Sequence, residues 1–186
     1  MNNNLYLALI HFPVMNKKDQ PIGSALTTID LHDIARACIT FGVRSFFVVT
    51  PYEDQAKLAK QVVDHWTKGV GGKLNPFRKK ALELIKVSKT FEDALKEIEK
   101  EREEPVITIA TSAKKISGSI TTDNLRQKLD SQASHVLTFG TAWGLAKELI
   151  DSCDFILDPI AGNTEYNHLS VRSAASIYLD RIINYK

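Results

Sequence analysis

Short apolar runs alternate with segments of helical period along the whole chain, and this alternation restricts the possible folds more than any other feature. Leu5–Ile10, Ser45–Thr50, Leu84–Val87, Val106–Ala110, His135–Phe139 and Phe155–Leu157 read as strands. Each is too short and too continuously apolar for an amphipathic helix. Between them, Asp30–Phe41, Asp54–Trp66, Thr90–Lys100, Thr121–Leu129, Trp143–Ile150 and Ser170–Ile183 carry apolar residues three and four apart. In the first of these, Leu31, Ile34, Ala35 and Cys38 share one face. Strands alternating with helices predict an α/β fold, a mostly parallel sheet flanked by helices. With 186 residues and neither repeats nor a low-complexity linker, a single domain over 1–186 is expected.

Local signals set the expected boundaries. Asp30 reads as the cap of the first helix, with Asp33 in its first turn and Gly42 as its stop. Asn75 followed by Pro76 reads as a cap and a first helical position. Thr90 with Asp93 three residues on resembles a capping box. The stretch KGVGGKL, residues 68 to 74, lacks the GxxxxGK[ST] spacing of a phosphate loop and reads as a flexible loop.

Composition excludes several classes. A net charge of +2 gives no general polyanion-binding character, so any basic surface must be local. The clusters Lys68, Lys73, Arg78, Lys79, Lys80 and Lys114, Lys115 are candidates to meet an RNA backbone, with Trp66 and Phe77 available for stacking. Cys38 and Cys153 have neither CxxC nor Cys/His spacing, so no metal site is expected and both read as reduced core residues. The apolar run at the N-terminus is short for a signal peptide, and no segment approaches the ~20 apolar residues of a membrane span. A cytoplasmic protein with no membrane association is expected.

In parallel α/β folds, ligands sit at the carboxyl ends of strands. Three such ends in the C-terminal half are rich in small residues: Thr111-Ser112-Ala113 with Lys114 and Lys115, Gly140-Thr141-Ala142-Trp143-Gly144-Leu145, and Asp158-Pro159-Ile160-Ala161-Gly162-Asn163. Main-chain groups there could hold a small molecule, with Gly140 and Gly144 lining a pocket that added side chains would fill. There is no GxGxxG dinucleotide fingerprint, no GxSxG elbow and no HExxH. His65 and His135 read as structural or surface residues.

Set beside these loops, the stretch IDLHDIARACITFGVRSFFVV resembles the first motif of the SpoU branch of the SPOUT methyltransferases. Arg36 matches the motif's arginine and Phe41-Gly42-Val43 its turn. LTFGTAWGL resembles the second motif, and EYNHLSVRSAASIYL the third, which opens the last helix. The resemblance runs from about Thr28 to the end of the chain. The whole chain is similar to a small bacterial family of S-adenosylmethionine (SAM)-dependent RNA methyltransferases, sometimes fused to tRNA guanine-N1 methyltransferase. It implies a deep trefoil knot in the C-terminal half, a homodimer, and a tRNA or rRNA substrate. It also implies a SAM site on Thr111, Ser112, Gly140, Thr141, Gly144, Leu145, Ile160, Gly162, Asn163, Leu169 and Ser170. Glu165, Asn167 and His168 would lie at its rim, and Ala174 and Ala175 would give the last helix a face for tight packing.

The resemblance places Arg36, Asp30 and His168 near the chemistry. Asp30 and His168 stand where the SpoU pattern has asparagine, which leaves ribose 2′-OH and base nitrogen both open as acceptor. Arg36 stays charged and suits a phosphate or an acceptor oxygen. Asp30 suits a general base for a ring nitrogen. His11 and His32 are further candidates. Two other readings stay open at this point: a SAM- or RNA-binding protein of the same fold without turnover, and an unrelated flavodoxin-like nucleotide binder.

Overall fold

The computed structural model describes residues 4–129 and 132–184. Six strands form one parallel sheet: β1 (Leu5–Ile10), β4 (Phe46–Val49), β5 (Ile85–Ser88), β6 (Val106–Ala110), β7 (Ser134–Gly140) and β8 (Phe155–Ile156), in spatial order β5-β4-β1-β7-β6-β8. A small antiparallel pair, β2 (Val14–Met15) and β3 (Pro21–Ile22), follows β1. The helices are α1 (Thr28–Thr40), α2 (Glu53–Thr67), α3 (Val70–Leu74), α4 (Pro76–Leu82), α5 (Phe91–Arg102), α6 (Thr122–Leu129), α7 (Lys147–Asp151) and α8 (Val171–Ile183).

The central strands β1 and β4 are apolar throughout because both sheet faces are covered there. Along β1, Leu5, Leu7 and Leu9 enter a core with Phe46, Val48, Leu137 and Phe139, covered by Leu31, Ile34 and Cys38 of α1 and Leu179 and Ile182 of α8. Tyr6, Ala8 and Ile10 point the other way, into a core closed by Phe91, Ala94 and Ile98 of α5 and Leu149 of α7. The period of two in side-chain direction thus divides one apolar run between two cores. β1 and β7 run in register from Leu5 opposite His135 to Ile10 opposite Gly140.

Three local expectations need correction. The cap of α1 is Thr27, not Asp30: Thr27 Oγ1 accepts from the Asp30 N–H at 3.4 Å and donates to Asp30 Oδ2 at 2.5 Å. Asp30 is therefore the third helical residue, and Asp33 lies beyond the first turn. Residues 68 to 74 contain the short helix α3 instead of a loop. The helix expected from Trp143 begins only at Lys147, because Ala142 (φ 51°) and Gly144 (φ 102°) turn the chain through left-handed conformations. The caps at Asn75 and Thr90 form as expected, accepting from the N–H groups of Arg78 and Asp93, and Ser170 caps α8 by accepting from the Ser173 N–H.

His11, His32 and His135 are each held below the ordinary histidine pKa, first of all by burial. The unfolded chain would bind protons at these rings near pH 6.5, where the folded chain does not. Their contribution to stability is therefore complete above that pH and declines as pH falls below it. The urea midpoint should drop between pH 7.5 and pH 5.5, and His135→Gln should flatten the drop. An unchanged midpoint across that range would contradict burial of neutral rings.

Candidate functional site

The three small-residue loops follow β6, β7 and β8, and these strands are neighbours in the order β7-β6-β8. Because every strand of the sheet is parallel, the loops emerge together at one edge. The N–H and Oγ1 of Thr111 both donate to the Thr138 carbonyl, at 3.0 and 2.9 Å, joining the first loop to β7. Asp158 joins the first loop to the third: its carboxylate pairs with Lys115 and accepts from Ser119 Oγ at 2.5 Å. Those partners hold the Asp158 carboxyl below the usual carboxylate range. The Asp158 carbonyl accepts from Tyr178 OH at 2.7 Å, anchoring the third loop to α8, and burial pushes that phenol up to about 12. Asn167 Nδ2 donates to the Ala113 carbonyl at 2.8 Å.

The middle loop is built from backbone contacts. Thr141 Oγ1 donates to the Ile10 carbonyl at 3.1 Å, the Trp143 N–H to Met15 O at 3.1 Å, and the Met15 N–H to Gly144 O at 2.9 Å. Thr141 Oγ1 also contacts Ser24 Oγ, which lies 3.0 Å from His11 Nδ1. Ser24 Oγ thus bridges the Thr141 hydroxyl and the His11 ring. His11 Nε2 is buried with no hydrogen-bond partner among the described residues. Burial keeps the ring neutral. Ser24 gave no signal in the sequence, as its partners lie 13 and 117 residues away.

Leu145 and Ile160 are buried behind the loops, whereas Gly162, Asn163 and Leu169 are exposed and Ser170 caps α8. The N–H groups of Ala161, Gly162 and Asn163 find no partner among the described residues. Exposed, unpaired main-chain donors beside small residues fit a polar small molecule with carboxylate, hydroxyl or ring-nitrogen acceptors. Among the described residues no group of three or more His, Cys, Asp or Glu side chains could hold a metal ion.

Asp30, Arg36 and His168 are not brought into mutual hydrogen-bonding contact. Asp30 is buried, and its Oδ1 accepts from Arg172 Nη1 at 3.1 Å. Arg172 Nε also lies 3.5 Å from Asp33 Oδ2. Arg36 is exposed and its guanidinium has no partner among the described residues. With Asp33, Thr40, Arg172, Ser173 and Ser176 it lines a cleft between α1 and α8. His168 is exposed, its ring set against Tyr166 at 5.4 Å. Arg172 escaped the sequence reading; the available signal was the pair Asp30 and Asp33, three apart on one helix face and in need of a cation.

Comparisons with known proteins agree with this architecture. A family model described as SAM-dependent RNA methyltransferase matches residues 4–184. A tRNA (guanine-N(1)-)-methyltransferase of Oleidesulfovibrio alaskensis is 42% identical over 180 residues, covering 97% of this chain and 42% of that protein. The chain thus spans less than half the length of that relative. An uncharacterised protein of Aquifex aeolicus is 32% identical over 185 residues, covering 99% of this chain and 90% of that protein. Among solved structures, the SpoU methyltransferase AviRb of Streptomyces viridochromogenes superposes with a TM-score of 0.62 at 13% identity, covering 98% of this chain and 60% of that one. Its complex with the cofactor AdoMet superposes at 0.56 and 14% identity, with 98% and 58% covered.

Two glycines test the middle and third loops. A Cβ on Gly140 would lie 2.4 Å from Leu145 N and 2.7 Å from Gly144 C, whereas one on Gly162 meets nothing within 4 Å. The obstacle at Gly140 is therefore the turn's own backbone, not the filling of a pocket, and the same holds for larger side chains. Gly140→Ala should lower stability by about 1–3 kcal/mol and weaken SAM binding at least about tenfold, by displacing the turn. Gly162→Ala should leave the urea midpoint unchanged. Equal midpoints for the two variants would contradict the turn geometry.

Proposed function

Because the chain belongs to the SAM-dependent RNA methyltransferase family, we propose that the loops after β6, β7 and β8 hold SAM and that the α1–α8 cleft presents the RNA acceptor. The observation carrying this reading is the adjacency of β7, β6 and β8, which gathers three loops of small residues and unpaired N–H donors at one sheet edge. Thr111, Ser112, Gly140, Thr141, Gly144 and Leu145 form two sides of the donor site. Ile160, Gly162, Asn163, Leu169 and Ser170 form the third.

When bound, SAM supplies a methyl group on a sulfonium, open to in-line displacement by an oxygen or nitrogen nucleophile. The protein's own work is positioning and proton removal. Arg36, unpaired and permanently charged, binds an RNA phosphate or orients the acceptor oxygen. Asp30 has a different part from the base suggested by residue type. Its Oδ2 accepts a hydrogen bond from the Thr27 hydroxyl and its Oδ1 one from the Arg172 guanidinium, so it holds Arg172 toward the cleft beside Arg36. His168, exposed at the rim of the third loop, is assigned the acceptor's proton.

The same reading makes tRNA the foremost substrate, by likeness to the relative whose name gives tRNA methylation. It takes 1–186 as one knotted SPOUT domain acting as a homodimer in the cytoplasm. Support for the knot is the family resemblance together with the strand order, in which the chain crosses from β7 back over β6 to β8 before α8 packs on α1 and α6. No described helix is long and apolar enough to cross a membrane.

Arg36→Ala should leave SAM affinity nearly intact in calorimetry while lowering methyl transfer to undermodified cellular tRNA by about 100-fold or more. Mixing it with subunits disabled at Gly140 should restore part of the activity if the site is shared between chains. Full activity in Arg36→Ala alone would remove the residue from the mechanism.

A further inference from the structure

Among the described residues, five aromatic side chains are substantially exposed: Phe12, Tyr52, Phe77, Trp143 and Tyr166. Apolar rings in water are costly, and a cluster of them marks a binding surface. Four of the five belong to segments that follow the carboxyl ends of strands. Phe12 follows β1, Tyr52 follows β4, Trp143 lies in the loop after β7, and Tyr166 in the segment after β8. These belong to the same sheet edge as the three donor loops.

Phe12 and Tyr52 form a built pair. Their rings meet edge to face, 6.2 Å apart at 75°, and remain 40% and 41% exposed. Tyr52 is held at its hydroxyl end by the segment after β3: a Cβ on Gly23 would lie 2.2 Å from Cε2 and 2.3 Å from the hydroxyl oxygen, so the backbone there packs directly against that end of the ring. Between Phe12 and Gly23 runs the β2–β3 hairpin, whose turn carries Lys17 and Lys18. Neither ammonium has an ion-pair partner among the described residues, and together they outnumber the one acid of that turn, Asp19. The hairpin is hydrogen-bonded to Trp143 and Gly144 through Met15.

Rings that keep exposed surface, unpaired lysines beside them and the donor loops on the adjoining strand are complementary to an anionic polymer that itself carries aromatic rings. We propose that Phe12 and Tyr52 form a stacking platform for an unpaired base of the RNA substrate, with Lys17 and Lys18 meeting its flanking phosphates. The substrate is then recognised in a single-stranded or loop segment, because bases stacked within a duplex expose no face to such a platform. This inference rests on the RNA-methyltransferase reading of the neighbouring donor site and adds the class of RNA structure taken there.

The test uses the full chain and two fluorescein-labelled probes, an adenosine decamer and an abasic ribose-phosphate decamer. The unsubstituted protein should prefer the adenosine decamer clearly. Phe12→Leu and Tyr52→Leu, which keep apolar volume but lose the ring, should each weaken adenosine-decamer binding about tenfold or more. The same variants should leave the abasic probe and the SAM affinity unchanged, and Tyr52→Phe should bind as the parent does. Equal affinity for both probes, parental binding by the leucine variants, or a loss in Tyr52→Phe as large as in Tyr52→Leu would overturn the platform. So would dissociation of a dimer in the leucine variants with unchanged RNA binding, since the rings would then cover a second copy of the chain. SAM calorimetry on the unsubstituted protein separates the two readings. If SAM binds but bases are not discriminated, only the platform fails; if SAM does not bind, the donor site fails.

Discussion

Parallel pairing of β7 with β1 on one side and β6 on the other is the interaction on which the site depends. It fixes Ile10 opposite Gly140 and Ala110 opposite Thr138, so the middle and first loops leave the same edge of the sheet within two residues of each other. β8, paired to the far side of β6 through Ile109 and Ala110, brings the third loop to that level. A shift of one residue in any of these registers would turn every apolar side chain of the strand to the opposite core. Two cores, one on each face, therefore hold the three loops at a common edge. Short polar ties then fix the loops to one another: Thr111 to Thr138, Asp158 to Lys115 and Ser119, and Asn167 to Ala113.

A second constraint links α1 to the start of α8. Asp30 lies on α1, far in sequence from the loops, yet it is ion-paired to Arg172 in the first turn of α8, two residues beyond the Ser170 cap. The carboxylate is mostly buried and the arginine partly exposed, so the pair works as a brace between two helices while turning a cation toward the cleft that also holds Arg36. Buried ion pairs seldom add much net stability; geometry is what this one supplies. The chain joins its first and last motifs through a contact 142 residues apart.

Much of the fold was legible in the sequence because the central strands β1 and β4 are buried on both faces and read as unbroken apolar runs, and the other strands are mostly apolar. The exceptions have physical causes. Residues 68 to 74 look like a loop because of Gly69, Gly71 and Gly72, but Gly71 and Gly72 are small for packing reasons. A Cβ there would strike the Trp66 ring at 2.8 Å and the Trp66 carbonyl oxygen at 2.3 Å, respectively. Trp143 to Ala146 carries helical residue types, yet the left-handed Ala142 and Gly144 and the hydrogen bonds to Met15 hold it as a turn. β2 and β3, two residues each, are too short to show any period. For the candidate site, the loops were visible as small-residue clusters after strands, and Arg36 through the motif resemblance. Arg172 and Ser24 were not, since their roles are set by partners that only the folded chain brings near.

The central claim is that one small molecule engages all three strand-end loops at once. Hydrogen–deuterium exchange on the full chain, with and without saturating SAM, addresses it directly. The account predicts slowed exchange in 111–115, 140–145 and 158–163 together, with the amides of Ala161, Gly162 and Asn163 among those that gain protection. Protection confined to a single loop, or appearing away from this edge of the sheet, would contradict it.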